Sequence, residues 1–368
     1  KSALSRASEA NISNALLASV KIDAESEDGQ RYLINMDAVL LQEALHQVNF
    51  LADPDTPEHE QFSLGTLSEE KTRYDDLKVY PENVDIRVIY AYDNDSPYVS
   101  GGDEVTDPRS MIVTLQHTFM EMPQNNYEPR FDDARIGYFR NQVTDLTSHS
   151  ITPYRDLINR WHLEKKNPSL AISEPLEPIV WWLENTTPDA YRESIRQGVL
   201  AWNEAFEKAG FKNAIVVRDQ PLDATWNAGD VRYNVLRWTS SPNPPFGGYG
   251  PSFSNPRTGQ ILSADIMLED IYVSNRVRSD SIFTPDEPSS TLLNQRGLSA
   301  KHCLASFNIA RGNALGRISA AVLGNQAATS RMVQESLYEL TLHEVGHTLG
   351  LNHNMRGSQL VDNDKIHD

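Results

Sequence analysis

Cysteine is almost missing. Cys303 stands alone in 368 residues, so no internal disulfide can form and stability must come from packing. A lone cysteine of this kind is expected to be a small buried hydrophobe. Positive charge is scarce too: 33 Lys and Arg face 51 Asp and Glu, a formal net charge of −18. That balance speaks against nucleic acid and anionic membrane as partners and fits an acidic, soluble surface. Long apolar runs are also lacking, and no stretch approaches the ~20 residues of a transmembrane segment. No signal peptide is visible, yet the chain begins at Lys1 rather than Met, so a processed or trimmed N-terminus is expected. The length allows two domains, either of which can bury a core.

What is present is concentrated near the end, where four of the ten histidines lie at 343 and beyond. The stretch is His343-Glu344-Val345-Gly346-His347-Thr348-Leu349-Gly350-Leu351-Asn352-His353. Residues four apart share a helix face, about 6 Å along the axis from each other. His343 and His347 can therefore aim two ring nitrogens at one ion, with the Zn–N distance of about 2.0–2.1 Å that zinc requires. Glu344 projects beside them, placed to hold a water. On a continuing helix His353 would be rotated by roughly 600° from His347, onto the wrong side. The helix must stop first, and Gly350 allows the sharp turn by adopting positive φ. The plain alternative is an amphipathic helix with surface histidines. Chance supplies these five fixed positions on the order of once in ten million starts.

The pattern H-E-x-x-H-x-x-G-x-x-H is the zinc signature of metzincins, and the sequence resembles that clan. Trp161-His162-Leu163-Glu164-Lys165-Lys166, Trp202-Asn203-Glu204-Ala205-Phe206, Asp230-Val231-Arg232-Tyr233-Asn234-Val235 and Asn354-Met355-Arg356-Gly357-Ser358 resemble large bacterial zinc-dependent metalloproteases. The likeness covers roughly residues 80–360 and is strongest over 179–358. It implies an α+β fold: a metzincin-like zincin catalytic domain with a twisted mixed sheet and an active-site helix, preceded by a β-rich N-terminal region. It also implies one catalytic Zn2+ held by His343, His347 and His353, with Glu344 as the catalytic carboxylate. The activity implied is a zinc metalloendopeptidase that hydrolyses peptide bonds through a zinc-bound water, acting on a protein or peptide substrate. Because the family is exported, a periplasmic or secreted location is expected. Metzincins carry a Met-containing turn beneath the zinc, and Met355 is too close to the third ligand to supply it. The chain is therefore expected to be truncated before that turn. A catalytically silent zinc- or peptide-binding fragment, and a zinc amidase acting on non-peptide amides, stay open beside the protease. Nothing in the sequence sets an oligomeric state.

The expected organisation is 1–165 as a β-rich region of unknown role, 166–178 as a linker broken by Pro168, Pro175 and Pro178, and 179–368 as the catalytic domain. Residues 5–20 are a candidate short helix, 31–36 a strand, and a helix from Asp37 through Ala44 follows. Alternation predicts strands over 84–92 and 111–120, with His117 a packed or surface residue and Asp93, Asp95 and Asp103 turn residues. Phe131 to Ser150 reads as a strand and a loop. Leu157, Ile158 and Trp161 approach helical spacing, although a strand is possible over 160–163. Further strands are expected at 179–183, 214–217, 231–238 and 261–268. Thr187-Pro188-Asp189 opens a helix, with the Thr187 hydroxyl as cap, that Gly210 closes. The strand–helix–strand order favours parallel pairing. Phe307 to Leu323 can be helical, and Arg331 to Leu349 is the zinc helix.

Between the last two strands, Gly247 to Ser254 cannot form a central strand, since it holds three glycines and a proline. It is read as an edge strand that aligns an extended peptide, with Gly248, Tyr249, Gly250 and Ser252 as substrate-binding candidates; a plain loop is the alternative. Glu339, four residues before His343, is read as a solvated glutamate rather than a support for that ligand. Asp265 is read as structural.

Overall fold

A computed structural model of the chain describes residues 15–48, 55–101, 105–133, 135–142, 144–151, 153–240, 248–270 and 326–354, with a few isolated positions. Most of the 5–20 and all of the 307–323 helix expectations fall outside these residues, apart from isolated positions, as do Cys303, Asp103, Gly247 and Met355. By packing, the chain divides into two units, 1–121 and 122–368.

The first unit is built on alternation. Strands β1 (Ile22–Glu25) and β2 (Tyr32–Ile34) pair as an exposed hairpin, followed by the short helix α1 (Asp37–Leu40). This helix ends earlier than the sequence suggests, four residues short of Ala44. Next come β3 (Thr66–Leu67), β4 (Arg73–Val79), β5 (Asn83–Asp93) and β6 (Ser110–Met120). β5 is the spine, with β3 and β4 antiparallel to it at different points along its length and β6 antiparallel over its whole length. Val88, Tyr90 and Tyr92 alternate inward to form a core with Val48 and Leu64. His117 packs as expected, its Nε2 lying 2.8 Å from Tyr90 Oη.

The second unit begins with three two-residue strands: β7 (Arg140–Asn141), β8 (Leu157–Ile158) and β9 (Arg160–Trp161). The helical spacing of 154–164 is overturned here because consecutive N–H groups find distant acceptors. Ile158 donates to Arg130 O, Asn159 to Phe139 O and Arg160 to Gly259 O. Strands β10 (Ile179–Leu183), β11 (Ile215–Asp219), β12 (Asn234–Thr239), β13 (Gly248–Tyr249), β14 (Ser252–Ser254), β15 (Gln260–Ala264) and β16 (Ile266–Glu269) follow. The main sheet has the order β11-β10-β12-β16-β13, parallel except for the antiparallel edge strand β13. This is the mixed sheet expected of the α+β fold. The 261–268 run is split at Asp265, because β15 pairs with β14 and β9 in a second sheet. Asn234 stitches the two: its Oδ1 accepts Ala264 N–H and its Nδ2 donates to Val180 O.

Helices α2 (Asp189–Leu200), α3 (Trp202–Lys208) and α4 (Gln326–Thr348) complete the unit. The Thr187 hydroxyl does not cap α2; Pro188 occupies the cap position and no side chain bonds there. Ile195 and Val199 of α2 and Leu337 and Leu340 of α4 meet Trp181, Leu183 and Ile266 of the sheet in one buried core.

Candidate metal centre

Helix α4 is set down by Val333, Leu337, Leu340 and Val345, all buried. Two indoles hold its carbonyls: Trp202 Nε1–H donates to Leu342 O at 2.8 Å and Trp161 Nε1–H to Thr348 O at 2.9 Å. The helix stops where the histidine spacing requires. Gly350 has φ +94°, its N–H reaches His347 O at 3.0 Å, and Leu351 N–H reaches Gly346 O at 3.1 Å. These two bonds make a Schellman cap. A side chain at 350 is excluded by the positive φ and also by space, since a Cβ there would stand 1.9 Å from Asn159 O.

The reversal returns His353 to the two helical histidines. Ligand-capable atoms of His343, His347 and His353 lie within 4.8 Å of one another. His343 Nε2 and His353 Nε2 are 3.2 Å apart. Two imidazoles on one tetrahedral zinc, with bonds of about 2.0–2.1 Å, place their nitrogens about 3.3 Å apart. His347 Nδ1 lies 2.8 Å from Leu351 O, so Nδ1 carries the proton and Nε2 presents its lone pair. Burial, then the neighbouring imidazoles, hold His343 down at about 4. Burial likewise lowers His347, opposed by the Leu351 carbonyl and aided by His353. Both rings are thus neutral at neutral pH, the form that ligates metal.

Glu344 is 1% exposed, and among the described residues its Oε1 has no hydrogen-bond partner. Burial pushes its carboxyl up to about 7, against the pull of the Gly250 N–H it accepts. Three converging imidazoles and an orphaned buried carboxylate oxygen fit a zinc ion with a polar ligand beside it. Residues 325–368 match the family described as Met-zincin. That segment holds all three histidines and Glu344. Residues 1–166 match a family described as a domain of unknown function, DUF5117. No curated protein and no solved structure gives a significant match. The Met-zincin match and the histidine triad together point to zinc metalloprotease chemistry.

Edge strand β13 lies directly against helix α4. A Cβ on Gly248 would stand 2.9 Å from Leu340 Cδ1 and 3.1 Å from Glu344 Oε1. Gly248 and Gly250 thereby lie beside Glu344, with Tyr249 between them in the chain, and burial raises the Tyr249 phenol. Ser252 is not on that edge. It belongs to β14, across Pro251, where it pairs with Ala264 in the second sheet. Glu339 is exposed, as a solvated residue should be. Asp265 is half-buried and accepts Val235 N–H at 2.9 Å. Burial raises its carboxyl to about 7 despite that bond and Arg237, with Glu184 adding to the rise. Sequence reasoning missed residues 137–139 and Asn159, which meet the turn at 350–353. Their short strands carry no period to read.

Proposed function

We propose that the chain is a zinc-dependent endopeptidase that holds one catalytic ion through His343, His347 and His353. The observation that carries this reading is the convergence of three imidazoles, two of them with nitrogens 3.2 Å apart. When bound, zinc supplies Lewis-acid activation of water and of a carbonyl near neutral pH. Glu344 takes the proton of the attacking water and returns it to the leaving amide nitrogen. A carboxyl raised to about 7 by burial is matched to that double duty. The Gly250 N–H orients the carboxylate. The substrate peptide lies extended along Gly248–Gly250, adding to the sheet at its β13 edge. Glycine at 248 keeps that edge close to Glu344. An extracytoplasmic location is supported by the resemblance to exported bacterial metalloproteases. Among the described residues no helix is long and apolar enough to cross a membrane.

The test is Glu344→Gln in the full chain, assayed for zinc content and for cleavage of a peptide library. Zinc should stay at one per chain while turnover falls by about 10²–10⁴. Cleavage at the original rate would end the assignment of Glu344, and wild-type chain without zinc or cleavage would end the protease reading.

A further inference from the structure

Residues 137–139 lie far from the zinc motif in sequence and outside the Met-zincin match, yet they pair with its turn. Tyr138 and Leu351 form an antiparallel bridge, flanked by Phe139 N–H donating to Gly350 O at 2.7 Å and Asn352 N–H donating to Gly137 O at 3.0 Å. The third histidine follows directly on this ladder. On its other side the strand is tied down, because Asn159 N–H donates to Phe139 O at 2.8 Å. The Phe139 ring packs on the His347 imidazole, with centroids 5.4 Å apart and planes tilted by 58°. The ladder also sets the carbonyl that fixes His347, since Leu351 O is the acceptor 2.8 Å from Nδ1.

We propose that the 137–139 strand is a positioning element of the metal centre, with Phe139 holding the His347 ring and the ladder to 350–352 holding the carbonyl that orients it. The idea rests on the metal reading of the triad and adds to it a support from the region before the main sheet. A metal-ligating histidine is oriented by the group on its other nitrogen, and loss of such support costs about 10–100-fold in metal affinity. Phe139 supplies the second restraint: with its ring set at a tilt against the imidazole, it limits rotation of His347 about its bond to the helix.

The experiment uses the full chain and reads zinc affinity by competition with a chromogenic chelator, alongside the visible spectrum of the cobalt-loaded protein. Phe139→Ala should weaken zinc binding by about 10–100-fold and alter the cobalt ligand-field bands. Phe139→Leu, which refills the space, should recover most of the affinity. Arg140→Ala is the control, because that side chain turns away to pair with Asp132 and Asp156; it should leave affinity and spectrum unchanged. If Phe139→Ala does not fold, Phe139→Val, which trims the ring but favours extended backbone, is read in its place and should show the same loss. Unchanged affinity and spectrum in the trimmed variant, or an equal loss in Arg140→Ala, would overturn the proposal. A wild-type chain that binds neither metal would instead overturn the metal reading itself.

Discussion

The two units solve the problem of covering a sheet in different ways. In 122–368 the sheet is covered by helices, and apolar side chains from α2 and α4 fill the space. Among the described residues of 1–121 the only α-helix with a printed span is the four-residue α1, and tyrosine hydroxyls tie it and the chain after it to the sheet. Tyr74 donates to Asp37, Tyr90 to the Leu40 carbonyl and Tyr92 to Glu43. The Tyr74 phenol is pushed up to about 12 by burial and then by Asp37, and Tyr92 is raised by burial and then by Glu43. Carboxylates set into the two sheets differ in the same sense. Asp85 is met by Asn83, Gln116 and Thr118, whereas Asp265 has a single backbone donor. Apolar packing on one rigid face sets side chains with little slack, and that is where the histidines sit. Tyrosine hydroxyls tie a thin layer to a sheet without needing a thick core.

Three variants press on this contrast. Leu337→Ala opens a cavity under α4 at a fully buried position and should cost about 2–5 kcal/mol. It should also weaken zinc binding, and denaturation with a parallel zinc titration checks both. Asp265→Asn comes next. The native carboxyl keeps its proton up to about 7, while the unfolded chain loses it near 4. The native state therefore binds more protons across that window, so the contribution of Asp265 is complete below about 4 and is lost as pH rises through about 7. The substitution should remove a slope of up to about 1.4 kcal/mol per pH unit there, and stability curves of equal slope in both proteins would refute the buried-acid account. Tyr92→Phe is the mildest. It should cost about 1.5–3 kcal/mol through the lost bond to a carboxylate, with zinc affinity as in the wild type. A matching fall in zinc affinity would mean that the tyrosine-tied unit is coupled to the metal centre.

The candidate metal centre was legible because its chemistry is local. Five positions in one stretch put two histidines on a helix face, a carboxylate, a stop at Gly350 and a third histidine in sequence, and the structure gathers the three histidines around that stop. Strands β10, β11, β12 and β16 were legible from their apolar runs, and β5 and β6 from their alternation. The edge position of β13 followed from its glycines, but its end did not, since Pro251 hands the chain to a second sheet. Residues 122–165 were opaque for a physical reason. Their strands are two residues long, too short for any period, and their hydrogen bonds reach partners such as Gly259 and Gly350 that only tertiary structure brings near. The spacing of Leu157, Ile158 and Trp161 imitated a helix for the same reason.

The end of α4 that carries His343 and His347 is its C-terminus, and α4 is 23 residues long in all. Aligned peptide dipoles leave about half a negative charge at that end. The Schellman bonds and the Trp161 indole quieten single carbonyls without cancelling the field along the axis. A dication drawn to this turn therefore meets a favourable backbone potential before any imidazole closes on it, whereas an anion approaching along the same line is repelled.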